Sequence, residues 1–245
     1  EARFDGKERL MAENGGTPPT PSLEEKIATL AANRERLQAG GGQEQIDKQH
    51  AAGKLTARER IKGLVDPGSF QEIGLFARHR ATSLDMADKE LPADGVVTGC
   101  ARIDGKVVHL ASQDFTVSGG AAGEVHSLKV AEMLGLSLKT GSPFVFINDS
   151  GGARVQEGID SLTGYGEVFY SNVMLSGSVP QISLICGPCA GGAAYSPALT
   201  DFIIQTRAAQ MFITGPQVIK QVTGEEVSAE ALGGPDPQMN RSGVA

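Results

Sequence analysis

The sequence predicts an α/β fold in which helices pack over largely parallel strands. Three observations lead there. Apolar runs of strand length occur at Phe144–Asn148 and Gln181–Cys186. Helix-like stretches lie at His126–Leu138 and around Gly164–Leu175. Glycine-rich turns join the two kinds of segment. Continuous apolar runs suit strands covered on both faces, and strands alternating with helices are the pattern of parallel sheets.

The elements follow in order. Residues 1–22 read as a flexible lead-in or upstream extension: residues 1–10 precede Met11, and 12–21 are rich in Gly, Thr and Pro. Ser22 and Glu25 form a capping box ahead of Leu23, Ile27, Leu30 and Leu37 at helical spacing, and Gly40–Gly42 ends that helix. A second capping box, Thr56 with Glu59, opens a short helix through Leu64 that Asp66-Pro67-Gly68 terminates. The two helices make an N-terminal helical arm rich in basic side chains. Short strands are expected at Asp94–Thr98, Ala101–Ile103 and Val107–Gln113, with Asp104-Gly105 as a tight hairpin turn. Gly187–Gly192 reads as a turn feeding a helix, and Phe202–Thr206 and Met211–Thr214 as strands. One domain is expected over residues 23–245, and the stop at Ala245 reads as the end of a fragment.

A length of 245 residues is enough for one domain of ordinary size, and 40% hydrophobic residues suffice for its core. Lys and Arg number 22 against 29 Asp and Glu, a net charge of −7. That balance argues against nucleic acid or an anionic membrane as the main partner. No apolar run approaches the ~20 residues of a membrane span, and no signal-peptide zoning is visible. Three cysteines make no disulfide framework, so a reducing, cytoplasmic compartment is expected.

Two segments share one design, a buried strand followed by a glycine turn and a helix: Phe144–Arg154 and Ile182–Tyr195. Glycine lets a ligand approach the backbone closely, and a turn entering a helix leaves N–H groups unpaired. Two such turns face to face can place donors on one carbonyl oxygen, an oxyanion hole suited to an enolate or tetrahedral intermediate. Either turn alone is as readily a tight turn and nothing more; the pair points to function.

Ala111–Val117, Asp149–Gly158, Gly187–Gly192, Tyr195–Asp201 and Phe212–Pro216 stand in the order found in carboxyltransferase subunits of biotin-dependent enzymes, the propionyl-CoA carboxylase and transcarboxylase type. The chain resembles the N-terminal domain of that family. The resemblance implies a crotonase-like (ClpP/crotonase) fold with stacked sheets flanked by helices, and a second, C-terminal domain that is absent here. It implies that Ala190, Gly191 and Gly192 offer backbone N–H groups to an acyl-CoA thioester oxygen, with Gly151, Gly152 and Ala153 beside the pantetheine arm. Lys54 and Arg58, in the basic segment Lys54–Arg60, fall near the CoA phosphates; a solvated helix face explains that segment equally well. The family's chemistry needs no side-chain base: biotin, carboxylated on a carrier protein, releases CO2, its ureido nitrogen takes the α-proton, and the thioester enolate attacks CO2. Partners implied are an acyl-CoA such as propionyl-CoA or methylmalonyl-CoA, a biotin carboxyl carrier, the missing C-terminal domain and further copies of the chain, a hexamer in the family. Two rivals remain: a crotonase-like hydratase or hydrolase with Glu124, His126 or Glu157 as base, and a CoA-binding assembly module inert without its second half.

Two motifs compete with this reading. Cys186-Gly187-Pro188-Cys189 reproduces a dithiol redox tetrad, but no tryptophan precedes it and the chain contains none. Ser118–Glu124 is glycine-rich but lacks the spacing and Lys-Ser/Thr of a P-loop. With Cys100 distant, no four-ligand zinc set forms, so no metal is expected. Gln238 replaces a histidine usual in the family after the Gly-Gly pair at 233–234, which leaves the local packing there open.

Overall fold

The computed structural model describes residues 20–245; the expected lead-in lies, up to residue 19, outside the described residues. The chain divides into a unit ending at Arg36 and a larger one from Leu37 to Ala245. The first described helix, α1 (Leu23–Gln38), carries the expected capping box, with Ser22 N–H donating to Glu25 Oε2 at 2.7 Å and Glu25 N–H to Ser22 Oγ at 3.2 Å.

The larger unit opens with α2 (Gln43–Ala51) and α3 (Ala57–Leu64). The Thr56–Glu59 capping box is formed in both directions. Seven strands build one sheet: β1 (Gln71–Ile73), β2 (Val96–Ile103), β3 (Lys106–Gln113), β4 (Phe144–Ser150), β5 (Gln181–Ala190), β6 (Phe202–Gln205) and β7 (Gln210–Phe212). β1, β2 and β3 pair antiparallel; β3 to β6 pair parallel in sequence order, and β7 pairs parallel with β5. The β2–β3 hairpin turns at Asp104 (φ 49°) and Gly105 (φ 75°), the two positive angles of a type I′ turn. The two short strands expected at 94–98 and 101–103 are one, because nothing between them breaks the ladder to β3.

Helices cover both faces. Alternate residues of a strand point opposite ways, so Phe144 and Phe146 pack against Val130, Met133 and Leu134 of α4 (Glu124–Thr140) and Val168 of α5 (Ile159–Leu175). Val145 and Ile147 pack instead with Ala57 and Ile61 of α3. β5 serves two pairings: Ile182–Ile185 lies between β4 and β6, and Pro188–Ala190 pairs with β7. The turn expected across Gly187–Gly192 is therefore confined to Gly191, and the strand runs through to Ala190. The ladder to β4 slips between Asn148 and Ser150, a bulge that accommodates Pro188, which has no N–H to donate. Beyond it, α6 (Gly192–Ala198) and β7 enclose a small core of Ile185, Cys189, Ala193, Ala209 and Met211.

Gln238 settles its own surroundings. Its Nε2 donates to the Met211 carbonyl of β7 at 2.8 Å, and its Oε1 accepts from Ser242 Oγ at 2.8 Å. The C-terminal turn is thereby tied to the last strand.

Candidate functional site

The two glycine turns meet. A methyl at Gly152 would lie 2.8 Å from the Ala190 carbonyl oxygen, so the first turn lies against the end of β5. Their helices share an entry geometry displaced from the expected place on one side. Gly191 precedes α6 at φ 57°, ψ −127°, and Gly158 precedes α5 at φ 55°, ψ −126°. Only glycine adopts that conformation at low cost. The helix after the first turn thus starts at Ile159, eight residues beyond Gly151.

The backbone donors sort themselves by partner. Gly191 N–H donates to Phe212 O at 3.2 Å, and Ala190 is the last residue of the β5 ladder, opposite Phe212. Gly192 and Ala193 open α6 and have no acceptor within it. Gly151 N–H goes to Gly119 O at 3.0 Å and Gly152 N–H to Ser150 Oγ at 3.1 Å. Of the residues singled out in the sequence, Ala153 and Gly192 keep open donors, and Ala193 joins Gly192 at the start of α6.

The glycine-rich loop after β3, which matched no P-loop, is the buttress of the first turn. Gly119 O and Gly120 O accept from Gly151 N–H and Ser150 Oγ, while Ala122 pairs with Ala153 in a parallel bridge. Gln113, at the end of β3, accepts from Asp149 N–H at 3.2 Å.

The part of the arm within the larger unit, residues 49–60, docks on Asp149. This fully buried carboxylate receives Lys54 Nζ at 2.8 Å, Arg60 Nη2 at 2.7 Å and Gln49 Nε2 at 3.1 Å. Lys54 also lies over the Phe115 ring, 4.1 Å from its centroid. It lines a cleft of about 530 Å³ with Lys48, Lys89, Phe115 and Gly119, the last of which accepts the Gly151 N–H of the first glycine turn. Arg58 goes elsewhere, forking onto Glu72 of β1 at 2.8 and 2.9 Å. Arg60, not Arg58, reaches the turn. The signal was present in the sequence: Ala57, Ile61 and Leu64 mark the buried stripe of α3, and Arg60 borders it.

The side chains named as alternative bases are all engaged. Glu124 pairs with Arg80. Glu157 accepts from Arg154 Nη1 at 2.7 Å and Glu124 N–H at 2.8 Å. His126 is 1% exposed, and burial followed by the Arg154 charge holds its imidazole well below the ordinary range. Asp94, missed in the sequence, is the centre of this group: its carboxylate binds Arg154 and His126 N–H, and burial pushes its pKa up against the lowering effect of Arg154.

Lys129 completes that corner. Its ammonium donates to the carbonyls of Ala93 (2.6 Å) and Val96 (2.5 Å), around a turn where Ala93 and Asp94 hold φ of 50° and 52°. Burial lowers its pKa to about 8 despite the carboxylates of Glu72 and Asp94. Between pH 8 and 10.5 the unfolded chain binds a proton that the folded one has released, so this group's contribution rises with pH across that window, on the order of 3 kcal/mol in total. Lys129→Met is expected to flatten the pH dependence of unfolding there, measured by urea titration of both proteins from pH 7.5 to 10.5.

The cysteines form no redox pair. Cys186 and Cys189 stand three apart on extended β5, roughly 10 Å of strand, beyond disulfide reach. Both are free thiols; burial pushes Cys186 up and Cys189 to about 12.

Comparison with known proteins adds the family. The carboxyl transferase domain matches residues 48–245. The chain belongs to this family. Methylmalonyl-CoA carboxyltransferase 12S subunit of Propionibacterium freudenreichii subsp. shermanii is 58% identical over 233 residues, covering 95% of this chain and 44% of that protein. The propionyl-CoA carboxylase beta chain of Roseobacter denitrificans is 53% identical, covering 91% and 44%. Transcarboxylase 12S, described as a hexamer assembly with methylmalonyl-coenzyme A and methylmalonic acid bound, superposes with a TM-score of 0.90 at 59% identity over 92% of this chain and 44% of that one. A chain of a Pseudomonas malonate decarboxylase hetero-tetramer, with malonate, gives 0.70 at 30% identity, covering 78% and 75%. The chain thus spans less than half the length of its curated relatives. The family's structures have the crotonase-like fold, as expected from the sequence. The carboxyltransferase relatives do not favour the hydratase reading, and Glu124, His126 and Glu157 are each engaged within this chain. No helix among the described residues is long and apolar enough to cross a membrane.

Proposed function

We propose that this chain is the acyl-CoA-binding part of a biotin-dependent carboxyltransferase acting on a short acyl-CoA of the propionyl-CoA/methylmalonyl-CoA kind. The observation that carries the proposal is the meeting of the two glycine turns, with the Gly192 and Ala193 N–H groups unspent at the start of α6.

Those two donors receive the thioester oxygen, and Gly151–Ala153 flank the arm of the coenzyme. A pair of fixed N–H groups costs no reorganisation as charge moves from the α-carbon onto that oxygen, so they bind the enolate more strongly than the neutral thioester. Lys48, Lys54 and Lys89 give the cleft the charge that CoA phosphates require. Carboxybiotin, brought by a carrier, supplies the carboxyl group and the proton-accepting ureido nitrogen. The engaged states of Glu124, His126 and Glu157 agree with a site whose own side chains move no proton. Because the relatives are more than twice as long, the biotin side of the site is assigned to the remainder of the protein. An apolar stripe on and beside α5, Val155, Ile159, Leu162, Tyr170 and Val173, is exposed and suits assembly with further chains.

In isothermal titration, propionyl-CoA and methylmalonyl-CoA are expected to bind the 245-residue chain, while methylmalonyl-CoA is not turned over until the remainder of the protein and a biotinylated carrier are added. Hydration of crotonyl-CoA by the chain, abolished by Glu157→Gln, would overturn the reading in favour of a hydratase.

A further inference from the structure

Tyr165 is not explained by packing alone. It projects from α5 and is 6% exposed, and its hydroxyl makes no hydrogen bond of ordinary geometry, although Ser150 lies close enough to influence it. Leaving a buried phenol unpaired is costly, and in most proteins such a group finds an acceptor. Its position is specific. The ring edge lies 3.1 Å from where a Gly192 side chain would begin, so the ring is the bed on which the second glycine turn rests. Ser150, at the start of the first turn, and the Cys189 thiol are both near enough to act on the phenol. Burial pushes the phenol pKa up, so at neutral pH the group is a donor. Ser150 Oγ gives its proton to Gly120 O at 2.7 Å and accepts from Gly152 N–H at 3.1 Å. An oxygen with two lone pairs has room for one more donor. The ring is fixed from behind by Phe169, at a centroid distance of 5.7 Å, which in turn meets Tyr195 of α6 at 6.0 Å.

We infer that Tyr165 is a positioning residue that couples the two glycine turns: its ring supports Gly192, and its hydroxyl bonds Ser150 Oγ when a thioester settles between them. This rests on the acyl-CoA reading above and deepens it, since the link is made at the thioester end and not along the coenzyme. The ligand's oxygen draws Gly192 and Ala193 N–H toward it, and the turn carries the ring with it. The step makes and breaks only hydrogen bonds.

The thioester and the free thiol of the same coenzyme separate this role from a structural one. Tyr165→Phe keeps the ring and removes the hydroxyl; it is expected to bind propionyl-CoA about tenfold more weakly while binding CoA as the unsubstituted chain does. A group that merely packs moves both affinities or neither. The chain has three tyrosines, of which Tyr170 and Tyr195 are exposed. In a spectrum of [13Cζ]tyrosine-labelled protein the resonance that Tyr165→Phe deletes is expected to shift with propionyl-CoA and to stay still with CoA. An unchanged preference for thioester over thiol in Tyr165→Phe overturns the inference, and so does a motionless resonance while propionyl-CoA is bound. If the unsubstituted chain binds neither ligand, the acyl-CoA reading itself falls and takes the inference with it.

Discussion

Arg154→Leu is expected to destabilise the fold by about 3–5 kcal/mol, the cost of removing one partner from a buried ion cluster. Arg154 is 1% exposed and immediately follows the first glycine turn. One guanidinium nitrogen binds both Asp94 Oδ1 and Glu157 Oε1; the other donates to the carbonyls of Ala121 (2.8 Å) and Asp94 (3.3 Å). Leucine leaves two carboxylates buried beside each other with no cation between them. Asp94, whose pKa burial already raises, then takes up a proton at still higher pH. The loss is therefore expected to be greatest at neutral pH and to shrink in acid, where the carboxyls are neutral. Urea unfolding at pH 7 and pH 5 checks both the size and the direction. Arg154→Lys keeps the charge but not the planar fork, and an intermediate loss is expected.

The core was more legible in the sequence than the site's connections. β4, α4 and α5 are long apolar or periodic segments, so local pattern and tertiary burial agree, and their centres fall where expected. The Asp104-Gly105 turn and the Thr56–Glu59 box were equally plain because each satisfies its backbone locally. α2 was not foreseen: Gln43–Ala51 carries no apolar stripe, and its only deeply buried side chain is Gln49, which reaches Asp149 from 100 residues away. The reach of β5 through Gly187-Pro188 was hidden for a related reason. Those residues break most strands, and here a bulge within β5 absorbs them, Cys186–Pro188 standing opposite the single residue Asp149 of β4. Which basic side chain reaches the turn was a question of helix face, and residue type alone pointed to Arg58 as readily as to Arg60. The glycine-rich segment Ser118–Glu124 fits no phosphate motif; its work is to receive the N–H groups of another loop, which no local pattern records.

Asp149→Ala is expected to cost a similar 3–5 kcal/mol and, unlike the change at Arg154, to detach the arm from the site. Asp149 receives three side-chain donors, two of them cations: Lys54 is 16% exposed and Arg60 8%, so neither regains full hydration when the carboxylate goes. Repulsion between them then favours undocking of the 49–60 segment, and Lys54 leaves its place over Phe115 in the cleft. A fall of at least tenfold in affinity for CoA and propionyl-CoA alike is expected, since the coenzyme end is lost and the thioester end at Gly192 is not. Gly187→Ala tests the same joint from below without touching a charge. A methyl there would overlap Asp149 Oδ1 and stand 2.8 Å from Lys54 Nζ. Forcing an extra carbon into so close a contact costs typically 1–3 kcal/mol, and the Lys54 side chain, 16% exposed, yields more easily than the buried carboxylate of Asp149. Weakened binding of both ligands, with hydrogen exchange accelerated in residues 49–60 and unchanged in β4, is the outcome expected of both variants by mass spectrometry. Exchange left slow across 49–60 would mean that the arm is held chiefly by the Ala57 and Ile61 contacts with β2, β3 and β4, and that Asp149 serves the turn alone.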